Sequence, residues 1–402
     1  MSDGGRMSRD TACNGQSRGD VGAEGRRLRI LHVVIQAGPT NSQWNEHCVP
    51  VADEREITVC SLYPGTVDPD PRISRIEGDG SLRGAVSALR TALRRRDYDV
   101  VHVHAPASAA MLMAACALER RSCENVVLTL HTSWPDLRPR NRFLDAVAFA
   151  AFPAVVACSR SCADSFPRVV RRLARSGVDV VPNGVDLERL LRLLQDSVDE
   201  GDEAPLGLHG GQDLTVLTVG RLIDSKRHGT LLSAFARIAG GRDRLVMVGD
   251  GPLRATLERQ AEELGITDRV EFLGLVPRDD VYRLLARADL FVSPSRFEGL
   301  PVAVLEAMAA QLPVVLSDIP PHREIVEGKG IASLVRLDDV DGFAAAMERL
   351  RGMDPDERRR IGTESRRIVT ETFSLRAMTD GYQDIYSRFL VGTGSLSRRA
   401  HD

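Results

Sequence analysis

Short apolar runs alternate along most of the chain with longer stretches in which apolar residues recur at helical spacing. Runs that are apolar almost throughout are typical of strands buried on both faces of a parallel sheet. In the N-terminal half, the predicted strands are Leu28–Ile35, Ile57–Leu62, Val100–His104, Asn125–His131, Ala154–Ala157 and Val178–Val181. Leu82–Arg95 and Cys162–Arg175 are predicted as helices between them. The pattern indicates a doubly wound α/β domain.

The same alternation begins again after residues 196–212, an acidic and glycine-containing segment that is predicted as a linker. The second series of predicted strands is Thr215–Val219, Leu245–Val248, Val270–Phe272, Leu290–Val292, Val314–Ser317 and Ala332–Val335. The helices predicted between them are Lys226–Ile238, Leu253–Leu264 and Val302–Ala310. Two successive series of this kind predict two Rossmann-like domains with parallel sheets and a cleft between them.

The predicted domain boundaries follow from these changes in pattern. Residues 1–26 contain almost no apolar side chains and are predicted as a disordered tail. Residues 27–195 form the predicted N-terminal domain and residues 213–372 the C-terminal domain. Residues 373–390 read as an amphipathic helix, and residues 391–402 as a second tail.

Composition narrows the class of protein and its partners. A chain of 402 residues with 43% hydrophobic and 27% charged residues is typical of a water-soluble globular protein. The balance of 53 basic against 56 acidic residues gives no reason to expect a nucleic-acid partner. Neither a secretory signal nor an apolar run long enough to span a bilayer is found, so we expect a cytoplasmic protein. Cys158 and Cys162 lack the further ligands of a zinc set, and no metal site is expected.

A basic turn follows the first strand of the second series. Gly220-Arg221 ends that strand, and Lys226 stands five residues later at the start of a predicted helix, with Asp224 or Ser225 as its N-cap. Two cations beside a helix N-terminus suit a diphosphate leaving group, whose charge grows as a glycosidic bond breaks. Considered alone, the two cations would more simply be a solvated basic turn.

A pair of glutamates follows strand Leu290–Val292. Glu298 precedes a helix that begins near Pro301, so the amides of Gly299 and Leu300 are expected to face an anion in the cleft. Glu306 lies within that helix, and its carboxylate could accept hydrogen bonds from a ribose diol. The alternative role of Glu298 is interaction with the helix macrodipole. Glu306 could be a surface position, although a charge in so apolar a helix needs a reason.

Together these motifs resemble the family 4 retaining glycosyltransferases of the GT-B fold. The resemblance extends over residues 28–390 and is strongest over residues 219–326. It rests on the order and spacing of Gly220-Arg221 with Lys226, Val248-Gly249-Asp250-Gly251-Pro252, the Glu298 and Glu306 pair, Pro313-Val314-Val315 with Ser317-Asp318, and Glu324-Ile325-Val326.

The resemblance implies a role for each matching residue. Arg221 and Lys226 would bind the donor diphosphate in place of a metal ion. Glu306 would bind the ribose and Glu298 the hydroxyls of the donor sugar. The remaining implied positions are the Val276 backbone at the nucleobase, Gly38 near the phosphates and acceptor, and His131 near the reacting sugar. For His131, an ordinary strand-end histidine is the simpler alternative. Asn183-Gly184-Val185-Asp186 would lead into the linker, and the Ser374–Leu390 helix would return to the first domain.

Three departures from the family pattern alter the expected site. Ala37-Gly38-Pro39 replaces a glycine pair in the first loop, which affects the acceptor side. Gln311 replaces a glycine before Leu312-Pro313, and Pro320-Pro321-His322-Arg323 replaces a glycine pair before Glu324. None of these changes removes a cation or carboxylate of the donor site, so activity is still expected.

The resulting hypothesis is a retaining, metal-independent glycosyltransferase of hexosyl or N-acetylhexosaminyl type. It would use a nucleotide diphosphate sugar as co-substrate, with no cofactor, and a small-molecule, glycan or lipid-linked acceptor. The alternatives are a sugar-nucleotide epimerase of the same fold and an inactive nucleotide-sugar-binding protein. Arginines at 138, 140, 142, 168, 171, 172 and 175 could form a basic face, so membrane contact is expected to be peripheral at most. An ordinary solvated helix surface is the simpler interpretation.

Overall fold

Seven parallel strands form the first sheet of the computed structural model, which describes residues 26–38, 41, 43–199 and 213–390. The strands are β1 (Arg29–Val34), β2 (Glu56–Ser61), β3 (Ile73–Glu77), β4 (Val100–Val103), β5 (Val126–Leu130), β6 (Ala154–Ala157) and β7 (Val178–Val180). Their order is β3-β2-β1-β4-β5-β6-β7. The central strands β4, β5 and β6 are buried at every position, as their apolar sequences predict.

The helices between the strands from β3 to β7 are α1 (Leu82–Arg95), α2 (Pro106–Glu119), α3 (Pro139–Ala151), α4 (Arg160–Ser165) and α5 (Arg168–Arg171), and α6 (Leu187–Asp199) follows β7. The predicted single helix Cys162–Arg175 was wrong. Pro167 cannot donate a backbone hydrogen bond, and it disfavours helical geometry at the residue before it. Phe166 is accordingly extended, and α4 ends at Ser165.

Six parallel strands form the second sheet, in the order β10-β9-β8-β11-β12-β13. They are β8 (Thr215–Val219), β9 (Arg244–Val248), β10 (Val270–Gly274), β11 (Leu290–Ser293), β12 (Val314–Ser317) and β13 (Ala332–Val335). The accompanying helices are α7 (His228–Ile238), α8 (Arg254–Glu263), α9 (Arg278–Arg287), α10 (Val302–Ala309), α11 (Pro320–Val326), α12 (Val340–Arg351) and α13 (Pro355–Thr372).

The start of α7 differs from its prediction. Residues 224–226 form a separate 3₁₀ turn, and Arg227 is the N-cap residue with a left-handed φ of 52°. No side chain caps α7, so neither Asp224 nor Ser225 has the predicted role. Lys226 therefore stands on a tight turn ahead of the helix rather than within it.

The last described helix, α14 (Leu375–Leu390), lies against the first sheet. Met378, Tyr382 and Tyr386 are buried together with strand residues that include Ile30 and Val127. A bridge between Val185 and Ser374 brings the chain back across the molecule. The helix begins after both sheets are complete, so it ties the C-terminal end of the chain to the first domain.

Several predicted segments lie partly or wholly outside the described residues. These include residues 1–25 and 391–402, and residues 200–212 of the predicted linker. Residues 196–199 of that linker belong to α6. Within the described ranges, no helix has the length and apolar character needed to cross a membrane.

Candidate functional site

The turn after β8 brings a cation and a carboxylate from separate loops together. Lys226 Nζ lies 2.6 Å from Glu298 Oε1. The two loops are also joined through their backbones, because the Arg296 amide donates to the Ser225 carbonyl at 2.7 Å. Arg221 lies on the same turn, and its side chain is exposed. Among the described residues the Arg221 guanidinium has no ion-pair partner. The site thus has one paired and one available cation.

Glu298 is ionised in this setting. Burial alone would raise the pKa of its carboxyl group. The Lys226 ammonium, His322 and Ser295 outweigh this effect and hold the pKa of Glu298 below its ordinary value. A half-buried carboxylate beside a half-buried ammonium can bind hydroxyl groups, because its second oxygen can accept further hydrogen bonds.

The backbone after Glu298 is held by side chains of the first domain. Ser133 Oγ donates to the Glu298 carbonyl and Ser159 Oγ to the Gly299 carbonyl, each at 2.7 Å. Gly299 packs against the His131 carbonyl so tightly that a Cβ atom would lie 2.8 Å from its carbon. Among the described residues, no acceptor binds the amides of Gly299 and Leu300. The loop therefore presents two backbone donors, as an anion site requires.

Glu306 is buried, and an arginine that the sequence analysis missed explains its position in an apolar helix. Arg278 Nη2 donates to the Glu306 carboxylate and, at 2.7 Å, to Glu46 of the first domain. Burial raises the pKa of Glu46 to about 7, against the opposing effect of Arg278. The three side chains are at most 12% exposed, so this is an ion-paired cluster between the domains.

Val276 and Gly38 are less directly connected to this group. Val276 is half-buried on the loop after β10, two residues before Arg278. Gly38 follows β1, and its carbonyl accepts a hydrogen bond from Asn41. In the described part of the chain no hydrogen bond joins either residue to Lys226 or Glu298. They lie on the loops predicted for them, but their roles stay predictions.

His131 ends a row of three hydrogen-bonded imidazoles. His131 Nε2 lies 3.2 Å from His104 Nδ1, and His104 Nε2 lies 3.0 Å from His32 Nδ1. Burial lowers the pKa of His131 to about 4, and burial together with Arg55 lowers the pKa of His32 to about 3. The row is therefore neutral at pH 7, and each neutral ring has one nitrogen that donates a hydrogen bond and one that accepts. His131 is the member of the row whose backbone carbonyl lies against Gly299.

Two histidines of this row belong, together with His102, to a group of the kind that can bind metals. In the described residues, His32, His102 and His104 offer ligand atoms that all lie within 4.8 Å of one another. His102 already bonds the Thr129 hydroxyl and the Tyr386 hydroxyl, each at 2.7 Å. No carboxylate belongs to the group. These contacts are those of a hydrogen-bonded core network.

Glu324 provides a further link that the sequence motif did not reveal. Its two carboxylate oxygens accept hydrogen bonds from the Arg160 and Ser161 amides, at 2.8 Å and 2.7 Å. These amides belong to the first turn of α4 in the other domain. Through these two hydrogen bonds, Glu324 of the second domain is joined to the first turn of a helix in the first domain.

The departures from the family pattern are accommodated by the backbone. Gln311 has a φ of 66°, so it adopts the left-handed conformation that a glycine would take more easily. The replacement of glycine by Gln311 therefore strains the backbone of that turn. His322 is buried in α11, where it bonds the Ser317 carbonyl at 2.8 Å.

A further carboxylate beside Glu298, Asp136, was not predicted from the sequence. It lies on the loop after His131, and burial and the Glu298 charge raise the pKa of its side chain.

Comparison with known proteins agrees with this architecture. A family model described as "Glycosyltransferase Family 4" matches residues 51–189, and one described as "Glycosyl transferases group 1" matches residues 205–368. An Escherichia coli UDP-Gal:α-D-GlcNAc-diphosphoundecaprenol α-1,3-galactosyltransferase is 26% identical over 317 residues, covering 76% of this chain and 79% of that protein. A lipopolysaccharide core biosynthesis glycosyltransferase, LpsE of Rhizobium meliloti, is 29% identical over 220 residues, covering 54% of this chain and 61% of that protein.

Solved structures confirm the fold prediction. The crystal structure of Anabaena HepE in complex with UDP and glucose superposes with a TM-score of 0.73 at 19% identity. The match covers 90% of this chain and all of that one. At this identity the likeness establishes the architecture alone, which is the predicted GT-B fold.

Proposed function

We propose that this chain, which belongs to family 4 of the GT-B glycosyltransferases, transfers a sugar from a nucleotide diphosphate sugar to an acceptor hydroxyl. The observation that supports the proposal is the pairing of Lys226 with Glu298 across the loops that follow β8 and β11, with Arg221 on the first of these loops and Glu306 in the helix that follows the second. Open α/β sheets bind their ligands at the carboxyl ends of their strands, where such loops lie. Glycosyltransferase activity follows from the family, whereas the donor class and stereochemistry are proposed.

The diphosphate would lie between the basic turn and the loop after Glu298. Arg221 has no ion-pair partner in the described structure, so its guanidinium is available to a phosphate. Lys226 would add a point charge, and the Gly299 and Leu300 amides would donate to phosphate oxygens. In this proposal, these cations and amides supply positive charge beside the diphosphate, where negative charge develops as the bond to the sugar breaks, and no metal ion has that role.

The nucleoside would extend toward Arg278 and the loop of Val276. Glu306 has one carboxylate oxygen bonded to Arg278, and a ribose diol would compete for or share that carboxylate. The Val276 backbone would meet the base. Because the Arg278 cluster also includes Glu46 of the first domain, nucleoside binding at Glu306 would affect the contact between the domains.

Catalysis would involve Glu298 and His131, both near the donor sugar. Glu298 would bind sugar hydroxyls, and the neutral His131 would orient the reacting sugar. Ordinary retaining glycoside chemistry uses a carboxylate nucleophile. None of the proposed site residues is a clear candidate for that role, so we favour departure and attack on one face, with the diphosphate assisting deprotonation of the acceptor. Closure of the domains would exclude water from this step.

A nucleotide-sugar panel would test the proposed reaction against the alternatives. The protein is incubated with UDP-, GDP-, ADP- and TDP-sugars, with and without a mixed acceptor preparation. We expect nucleotide release that depends on the acceptor. Conversion of the donor sugar without an acceptor would instead indicate an epimerase, and binding without turnover would indicate an inactive binding protein.

Substitution of the cations tests the diphosphate assignment. Arg221→Ala and Lys226→Ala should each lower turnover at least about a hundredfold, the loss typical of one electrostatic donor. Arg237→Ala, on the exposed surface of α7, is the matched control and should retain normal turnover. Glu298→Gln should lose transfer but keep nucleoside diphosphate binding. Near-normal rates in both cation variants would refute the assignment.

A further inference from the structure

Four large apolar side chains are exposed on neighbouring segments of the first domain. On α3, Phe143 is 68% exposed and Val147 is 38% exposed; Val169, in α5, is 70% exposed, and Leu173, on the turn after α5, is 42% exposed. Phe143 and Val147 are spaced by four residues within α3, so these two side chains face the same way. The four side chains are among the eleven exposed large hydrophobics in the described residues, so this apolar surface is concentrated rather than scattered.

Arginines surround these apolar side chains almost without acidic neighbours. Residues 138–175 contain eight arginines and two aspartates, in a chain whose net charge is −3. One aspartate, Asp145, is buried, and the other, Asp164, pairs with Arg171. Among the described residues no ion-pair partner contacts the side chains of Arg138, Arg140, Arg160, Arg168, Arg172 and Arg175. On the exposed helix α13, by contrast, Arg367 pairs with Glu364 and Glu371.

A cavity between α4, α5 and β7 continues the basic surface. Its volume is about 470 Å³, and its lining includes Arg160, Arg168, Arg171 and Arg172. Four guanidinium groups against the single carboxylate of Asp164 leave a net charge of +3 around this opening. Guanidinium groups bind phosphate oxygens bidentately, so the cavity suits a phosphate-bearing head group.

The position of this surface relates it to the cleft. The helix α3 begins eight residues after His131, and α3 packs against α5. The first turn of α4, which borders the cavity, is bonded to Glu324 of the other domain beside the site. A partner bound to this surface would therefore lie next to the acceptor half of the cleft.

We propose that the α3–α5 face, defined by Phe143, Val147, Val169, Leu173 and the surrounding arginines, docks on an anionic lipid membrane. Its apolar side chains insert at the headgroup boundary, and its arginines bind lipid phosphates. Attachment is peripheral. Membrane docking goes beyond the proposed function. It rests on that function in one respect, namely that docking would bring a membrane-borne acceptor to the cleft.

Vesicle co-sedimentation of the full chain tests this surface. Vesicles of phosphatidylcholine are compared with vesicles that contain 30 mol% phosphatidylglycerol, at low and high salt. We expect binding to the anionic vesicles that weakens as salt screens the arginines. Arg168→Glu/Arg172→Glu should reduce this binding about tenfold or more. The matched control, Arg359→Glu/Arg360→Glu on exposed α13, makes the same charge change and should bind as the unmodified chain does.

The apolar side chains distinguish a membrane from a soluble anion. Phe143→Ser/Val169→Ser keeps every arginine, so it should lose vesicle binding while inorganic pyrophosphate binding to the protein stays unchanged. Binding of pyrophosphate but not of vesicles, or equal vesicle loss in the α13 control, would overturn the proposal. Nucleoside diphosphate binding is measured on the same samples. Its presence without vesicle binding refutes the docking surface alone, and its absence refutes the proposed function.

Discussion

Replacement of Gly299 by alanine should separate donor binding from sugar transfer. Gly299 stands where the second domain meets the first, directly after Glu298. Its backbone has no positive φ, so alanine can adopt the same conformation. The added Cβ, however, would lie 2.8 Å from the His131 carbonyl carbon and 3.0 Å from Cys158 Sγ. The substitution thus acts as a wedge between the domains and leaves the Gly299 amide in place.

The size of the effect follows from these distances. Non-bonded carbon atoms are optimally separated by about 3.5–4.0 Å, so the two backbones must move apart by roughly 1 Å. A displacement of this size at a reacting centre can reduce the rate about a hundredfold, equivalent to about 2.7 kcal/mol in the barrier. Arg221, Lys226 and Glu306 all belong to the second domain. We therefore expect nucleoside diphosphate affinity to change far less, by about threefold at most.

The assay compares transfer rate and nucleoside diphosphate affinity for the Gly299→Ala variant. Gly240→Ala is the control, because a Cβ at Gly240 meets no atom within 4 Å. The expected result is a selective loss of transfer in Gly299→Ala and normal behaviour in the control. Undiminished transfer by Gly299→Ala would show that the contact between His131 and the Glu298 loop is not needed for catalysis.

Three further predictions concern stability and domain contact. Burial lowers the pKa of His32 to about 3 from 6.5, so below pH 6.5 the unfolded chain binds more protons than the folded chain and the free energy of unfolding falls with falling pH. At pH 5.5 the protonation of this histidine alone should lower the free energy of unfolding, measured with urea, by about 1.4 kcal/mol. The His32→Asn variant should show a weaker dependence of this free energy on pH. Arg278→Met leaves two buried carboxylates without their cation, and should lower the free energy of unfolding by about 3–5 kcal/mol at pH 7.5; an unchanged value would contradict the ion-paired cluster. Glu324→Ala removes two hydrogen bonds between the domains and should slow sugar transfer about tenfold. The nucleotide affinity of this variant, measured by calorimetry, should be unchanged.

Most of the fold could be predicted because parallel strands buried on both faces have a strong apolar signal. Strands β6, β8, β12 and β13 have the predicted bounds. The edge strand β3, with the sequence Ile-Ser-Arg-Ile-Glu, was missed because it is mostly half-exposed and lacks a continuous apolar run. The split between α4 and α5 was also missed, although Pro167 was the signal that could have revealed it.

The site was predictable only where its residues belong to local motifs. The basic turn and the glutamate pair each lie within a short segment, and the structure joins Lys226 to Glu298 across 72 residues. Arg278 and Glu46 are separated by 232 residues along the sequence, and no local pattern predicts their contact. The row of imidazoles is built from neighbouring strands. Their alignment depends on sheet register, which periodicity alone does not determine.

The central claim is that Arg221 and Lys226 hold the diphosphate of a nucleotide donor. Titration calorimetry with nucleoside diphosphates and the corresponding monophosphates tests it most directly, on the unmodified chain and on Arg221→Ala/Lys226→Ala. We predict that one diphosphate binds with micromolar affinity, much more tightly than its monophosphate, and that the double variant abolishes this preference. No measurable affinity for any UDP-, GDP-, ADP- or TDP-type compound, or equal affinity in the double variant, would contradict the account.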